Sequence, residues 1–347
     1  MAATALLDFR ARLFSKVMTL EPFYPDRPVA AANVAFMTAL LLAYVARHMA
    51  LVTPCPERRI HPLQPYSHAK KALESRLMTS SLTARHIAEL SGKAAACIAI
   101  EVVGETASTN ADLLALLHEL SGPTLLVAKK QTAGRGRAGR SWISSEGGSL
   151  TFSLAWRFDR PLHQLTGLPL AVGVAIVEAL QRFGVVGRLK WPNDVLTDGR
   201  KLAGILIEST TSRPDAGAWT VIGIGVNIDL PDDCLARIEQ PAAMLPGLAQ
   251  QDHAGLIAAL LDELAEMLPR FDAEGFLPFM ERWNALHAYA QRQVQLIDNG
   301  RIRHTGTAIG VDAQGRFLIG TAAGTLPVMA GDISLRLGDD ETQGLAP

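Results

Sequence analysis

Three arginines and three glycines interleave over seven residues, Gly134-Arg135-Gly136-Arg137-Ala138-Gly139-Arg140, with Gln131 just before and Trp142 just after. Glycines let a backbone come close to a ligand and present its N–H groups as an anion nest. Arginines carry permanent charge that forks onto phosphate or carboxylate. No Gly-Lys-Ser/Thr follows, so this is not a Walker A loop. The plain alternative is a basic loop that holds polyanions loosely.

A second group is Lys190-Trp191-Pro192-Asn193-Asp194, with Lys201-Leu202-Ala203-Gly204-Ile205-Leu206 beyond it. A residue before proline favours extended backbone, which sets Asn193 and Asp194 at a strand end, where ligand groups gather. Lys201 leads into an apolar strand, and its ammonium is expected at the edge of the sheet. The plain reading makes Asn193-Asp194 a turn and Lys201 a solvated charge. Ser108-Thr109-Asn110 reads as a helix N-cap whose hydroxyl and amide groups also face a pocket. Gly223-Ile224-Gly225-Val226-Asn227 reads as a core strand whose small residues make room for a neighbour.

These residues must be held by something, and the intervening sequence supplies strands and helices in alternation. Strands are expected at Ile98–Val103, Thr124–Ala128, Leu150–Trp156, Gly204–Glu208 and Val221–Ile228, all rich in apolar and β-branched residues. Helices are expected from the Ser108 cap through His118 and over Leu170–Phe183, and Leu256 to Leu268 repeats apolar residues at helical spacing. The pattern is an α/β or α+β domain around one sheet. After Trp283 the runs Val294–Ile297, Phe317–Ile319 and Leu326–Met329, separated by turn signals, fit a small β-barrel.

With 33 Lys+Arg against 34 Asp+Glu, the chain has no electrostatic case for coating nucleic acid, and 48% hydrophobic residues in 347 suffice for a sizeable core. Cys55, Cys97 and Cys234 make no metal-ligand spacing, which favours buried thiols over disulfides or zinc. Residues 1–77 differ from the rest. Val29–Ala46 is nearly all apolar and, at ~1.5 Å per residue, would span ~27 Å, the lower edge for a membrane helix. A Pro-rich basic stretch follows. A helical appendage, a weak membrane anchor and non-native sequence are the three readings. Leu82–Ser91 is expected to be one amphipathic helix packed on the core, the alternative being part of a helix-turn-helix.

The succession ETASTN, QTAGRGRAGRSW, KWPND, KLAGILIE and GIGVNI, from about Glu105 onward, resembles the bacterial biotin–protein ligase family. The tail GVDAQGRFLI to GDISLR resembles that family's C-terminal SH3-like domain. The resemblance implies an α+β fold, with a sheet-based catalytic domain like that of class-II synthetases over residues 78–286 and the SH3-like barrel over 287–347. It implies biotin as substrate, ATP with Mg²⁺, a biotin carboxyl carrier protein as partner, and a cytoplasmic enzyme. No resident metal site, DNA partner or membrane partner is expected. Ser108, Thr109 and Asn110 correspond to the biotin-pocket motif and Gln131 to a pocket amide. Arg135, Gly136 and Arg137 correspond to the loop that closes over biotin and the adenylate, flanked by Gly134, Gly139 and Arg140, with Trp142 near the adenylate. Lys201 corresponds to the lysine on the reacting carboxylate and phosphate, and Asn193 and Asp194 to the pair near the phosphates and incoming amine. Catalysis is thereby assigned to Lys201, Arg137, Asp194 and Asn193. Ala138 departs from the pattern, standing where some members carry arginine.

Physical chemistry agrees with that assignment. A carboxylate and a triphosphate repel, and Lys201, Arg137 and Mg²⁺ would offset the repulsion. Biotin needs an apolar pocket with a few placed polar groups. A reactive mixed anhydride needs water kept out, and the loop, with little to anchor it, is expected to be mobile until ligand arrives. A lipoate or octanoyl transferase would need a histidine-bearing glycine motif in place of the arginine loop. A biotin-sensing repressor would need a competent helix-turn-helix before residue 95. A binding module without catalysis would release no pyrophosphate.

Overall fold

The computed structural model describes residues 82–338, apart from 211–216, 239, 246, 248–252, 299 and 332. The apolar run Val29–Ala46, the Pro-rich stretch and Cys55 lie outside the described residues. Among the described residues, no helix is long and apolar enough to cross a membrane.

A seven-stranded mixed sheet carries the first part of the chain, in the spatial order β1-β2-β3-β7-β6-β5-β4. Its strands are β1 (Ala99–Thr106), β2 (Thr124–Gln131), β3 (Ser149–Pro161), β4 (Arg188–Lys190), β5 (Asp194–Thr197), β6 (Arg200–Thr210) and β7 (Gly217–Asn227). Only β1 and β2 pair in parallel; the other neighbours are antiparallel.

Residues facing one another across antiparallel strands share a face of the sheet. Leu154 opposite Ile222, Phe152 opposite Ile224, and Ile205 opposite Ile224 lie on one face. That face packs into the main core with helices α3 (Leu168–Gln181) and α5 (His253–Glu274). Leu256, Ile257, Leu260, Leu261, Leu264 and Leu268 of α5 are all buried, as their helical spacing predicts. At roughly 1.5–3 kcal/mol for each fully buried large apolar side chain, this face dominates the hydrophobic stabilisation. Helix α1 (Ala84–Leu90) is capped by Thr83 and seats Ile87 in the same core, the outcome expected of a single packing helix.

The opposite face is smaller and more polar. Ser153 faces Gly223, Gly225 faces Gly204, and Leu206 faces Gly223. Helix α2 (Thr109–Leu116) covers one end of it through Leu113, against Leu126, Ala155 and Val221.

Helices α4 (Asp232–Leu235) and α6 (Leu277–Leu286) lead to a five-stranded antiparallel SH3-like sheet in the order β11-β10-β9-β8-β12. Its strands are β8 (Gln293–Asp298), β9 (Arg301–Val311), β10 (Phe317–Thr321), β11 (Gly324–Val328) and β12 (Ile333–Leu337). Two of these, β9 and β12, go beyond the three runs legible from apolar pattern. Trp191 and Phe317 stack at 5.3 Å between the two sheets, with His287 4.8 Å from Trp283 and 5.8 Å from Phe317. Burial lowers the His287 pKa to about 4 and keeps the imidazole neutral. Cys234 is buried, but Cys97 is exposed on a short 3-10 turn, contrary to the expectation of buried thiols.

Candidate functional site

The glycine-rich face opens into a cavity of about 410 Å³. Ser108, Thr109, Asn110 and Gln131 line one part of it, Asn193, Asp194 and Lys201 another, and Arg135, Gly136, Arg137, Arg140 and Trp142 the loop side. Of the residues singled out in the sequence, Gly134 and Gly139 fall outside the lining and act on the loop's shape.

The first end is a closed hydrogen-bonded network. Ser108 caps α2 by accepting from the Ala111 N–H. The amide N–H of Thr109 donates to Gln131 Oε1 at 2.8 Å. The Thr109 and Ser153 hydroxyls lie 2.6 Å apart, and Ser153 donates to Asn110 Oδ1 at 2.6 Å. Ser153 spends its one proton on Asn110 and so accepts from Thr109, whose hydroxyl also reaches Gln131 Oε1 at 3.1 Å. Asn110 Nδ2 donates in turn to Glu208 Oε2 at 2.9 Å and to the Leu206 carbonyl at 3.2 Å. Gln131 is held through its oxygen, which leaves its amino group as the donor offered to the cavity. Asn110 is buried with its polar atoms occupied by protein, so its amide shapes the floor.

Two glycines of the Gly223-to-Asn227 strand make that floor possible. A Cβ on Gly223 would stand 2.2 Å from Asn110 Oδ1, and one on Gly225 would stand 2.3 Å from the Trp142 ring. The close approach that small strand residues permit is thus made by two site residues.

The second end is charged. Lys201 lies where β6 bulges against β5, between Val195 and Leu196, on an interior strand and not at the sheet's edge. Its backbone is held by the 241–243 segment, with Lys201 N–H on the Pro241 carbonyl and Ala243 N–H on the Lys201 carbonyl. Its Nζ sits 2.6 Å from Asp194 Oδ1, off the line of a hydrogen bond, and 5.8 Å above the Trp142 ring. Asp194 Oδ2 lies 3.9 Å from Lys190 Nζ. Lys190 is buried, which pulls its pKa down to about 8; Asp194 opposes that shift, while Arg336, Lys201 and Arg140 add to it. One carboxylate therefore faces a surplus of cations, an arrangement that favours a polyanionic ligand. Asn193 is clamped to β6, donating to the Ile205 carbonyl at 2.8 Å while its own carbonyl accepts from Ile205 N–H. It stands in a turn that holds a cis Trp191–Pro192 peptide, where the sequence suggested extended backbone.

The arginine loop is a hairpin. Trp142 N–H donates to the Gly134 carbonyl, and Gly136 N–H to the Arg140 carbonyl. At its tip Ala138 has φ 53° and Gly139 φ 70°. The three arginines part company. Arg135 pairs with Glu208 at 2.8 Å. Arg137 donates to Asn193 Oδ1 at 3.2 Å and to the Gly331 carbonyl. Arg140 donates to Ser334 Oγ at 2.7 Å. The SH3-like sheet thus closes one wall of the cavity, with Ser334 and Arg336 in the lining.

Comparison with known proteins decides among the chemistries this cavity permits. Residues 100–227 match the biotin/lipoate A/B protein ligase family, and residues 292–336 match the biotin protein ligase C-terminal domain. The chain is 37% identical to the bifunctional ligase/repressor BirA of Escherichia coli, over 66% of this chain and 71% of that one. It is 34% identical to the biotin–[acetyl-CoA-carboxylase] ligase of Paracoccus denitrificans, over 67% of this chain and 98% of that one. The chain belongs to the biotin protein ligase family. Biotin protein ligase from Aquifex aeolicus, solved in complex with biotin and ATP, superposes with a TM-score of 0.58 at 30% identity, covering 69% of this chain and 99% of that one. Within this ligase, Ser153, Lys190, Glu208 and Arg336 stand in or beside the cavity and are given no role of their own by sequence reasoning. Lys190, Glu208 and Arg336 stand inside the family motifs, which was a signal; Ser153 looks like any other strand residue until the register places it opposite Gly223.

Proposed function

We propose that this ligase joins the carboxylate of biotin to the α-phosphate of ATP and then passes the biotinyl group to a lysine of a biotin carboxyl carrier protein, in the cytoplasm. The observation that supports this reading above all is the meeting, in one cavity, of a neutral hydrogen-bonded end and the Lys190–Asp194–Lys201 end.

The neutral end suits biotin's ureido head and apolar body, with the Gln131 amino group as a placed donor and Trp142 as the wall. The carboxylate then projects toward Lys201. A carboxylate oxygen attacks the α-phosphorus, the bond to the bridging oxygen breaks, and pyrophosphate leaves with the electron pair. Lys201, Lys190 and Arg137 stabilise the charge that spreads over the transferred group, without reorganising at the moment of reaction. Mg²⁺ fits as an ion carried largely by phosphate oxygens, with Asp194 the carboxylate that would hold it; when bound it neutralises triphosphate charge. In the second step the carrier's lysine amine attacks the acyl carbon and AMP departs. Asp194, already bound to ammonium groups, is placed to orient the amine and take its proton. Holding the two reactants together is worth effective molarities of up to ~10⁵–10⁸ M.

The test is transfer of labelled biotin to a purified carrier domain. Label on the carrier is expected only with ATP and Mg²⁺ together; biotin bound without pyrophosphate release would sink the reading.

A further inference from the structure

We propose that Glu208 is a positioning residue, a latch that fastens the entrance of the arginine hairpin to the sheet and ties it to the floor of the neutral end. The inference rests on the ligase reading and assigns a role to a residue that touches neither reacting group. Its single oxygen Oε2 accepts from Arg135 Nη2 at 2.8 Å and from Asn110 Nδ2 at 2.9 Å. Three separate elements therefore meet on one atom: the β6 strand, the start of α2 and the first arginine of the hairpin.

The two donors are not equivalent. Asn110 is buried, and its other hydrogen bonds, to Leu206 and from Ser153, already fix its plane. Arg135 is nearly half exposed, and its guanidinium is the member of the pair that gains an address from Glu208. Its charge is spent on the protein, so what it contributes to ligand is the course of its backbone, along with that of Gly136 in the cavity wall. Opening the latch frees the hairpin entrance, while Lys201, Asp194 and Lys190 keep their mutual contacts. The cost falls on holding biotin and not on the chemical step.

The experiment measures pyrophosphate release with biotin varied, together with tryptic cleavage after Arg135 in biotin-free protein. Glu208→Gln keeps an acceptor for Asn110 but loses the ion pair. It is expected to raise KM for biotin about tenfold with a much smaller change in kcat, a loss of shared rather than transition-state binding. Cleavage after Arg135 should rise by about the same factor as the hairpin opens. Arg135→Met should raise KM comparably, Arg135→Lys should recover part of the loss, and the double variant should be no worse than the worse single, because one contact is removed once. Wild-type KM in Glu208→Gln, or single effects that multiply in the double, would overturn the latch. Should Glu208→Gln fail to fold, the KM of Arg135→Met decides the same question. A wild-type protein that released no pyrophosphate would sink the ligase reading, and cleavage after Arg135, unchanged or raised in Glu208→Gln, would still decide the latch.

Discussion

The two ends of the cavity are built on opposite principles. At the neutral end the named hydrogen bonds run in one direction, from Thr109 through Ser153 and Asn110 to Glu208, and the glycines beneath leave no slack. At the charged end Asp194 is the carboxylate among Lys190, Lys201, Arg140 and Arg336, so its balance is left unmet by protein. On the proposed reading, the first end is finished before a ligand arrives and would discriminate by shape and by a placed donor, while the second is incomplete in its charges and would be settled by the anion that enters. Substitutions should therefore fail differently: at the neutral end in binding, at the charged end in rate and in pH dependence.

The sharpest test of that division is Lys201→Ala. Loss of one preorganised cation facing the reacting groups should lower pyrophosphate release ~10²–10³-fold, with a circular-dichroism spectrum unchanged from wild type. Near-normal release would make Lys201 an ordinary strand charge. Gly223→Ala comes next, since its added carbon would stand 2.2 Å from Asn110 Oδ1. It should cost about 1–3 kcal/mol of stability by denaturant titration and raise KM for biotin while leaving KM for ATP close to normal. A selective rise for ATP instead would erase the contrast between the ends. Lys190 offers a smaller effect. Its ammonium loses its proton as pH rises through about 8, so kcat/KM for ATP should fall several-fold above that pH. The bound triphosphate favours the protonated form, so kcat should hold to higher pH. In Lys190→Arg the inflection near pH 8 should vanish; its persistence would assign it to another group. Smallest of all, a chain begun at Met78 should transfer biotin at nearly the full rate, as every matched motif lies from Glu105 onward; an inactive or insoluble product would break that expectation.

The strands and helices around the cavity were legible because their residues are apolar at the right period, and the chemistry was legible because arginine–glycine interleaving and KWPND are unusual. The polar network was not. Ser153 and Glu208 gain meaning from register, which a one-dimensional pattern does not carry. Strand β9 escaped notice because its first five residues, Arg301 to Thr305, are exposed and, Ile302 apart, polar, and apolar alternation is the cue for a strand. The arginines read alike in sequence but have different partners in the fold: Arg135 bonds to Glu208, Arg140 to Ser334, and Arg137 to Asn193 and Gly331. Trp191 entered the sequence reading as the residue before proline, and the fold adds that its ring is buried against Phe317. Ala138, standing where some members of the family carry arginine, occupies a left-handed turn position that costs a side-chain-bearing residue about 1 kcal/mol or more relative to glycine.

The neutral imidazole of His287, wedged among Trp283 and Phe317 where the two sheets meet, gives the molecule an acid limit. The unfolded chain takes up a proton there near pH 6.5, whereas the folded chain does so near pH 4. Between those values acidification favours unfolding, and the stability the buried ring allows at neutral pH is withdrawn as pH falls. Because His287 pairs its backbone with Leu189 of β4 and sets its ring against Phe317 of β10, both sheets lose support together: heat or acid should melt them in a single cooperative transition.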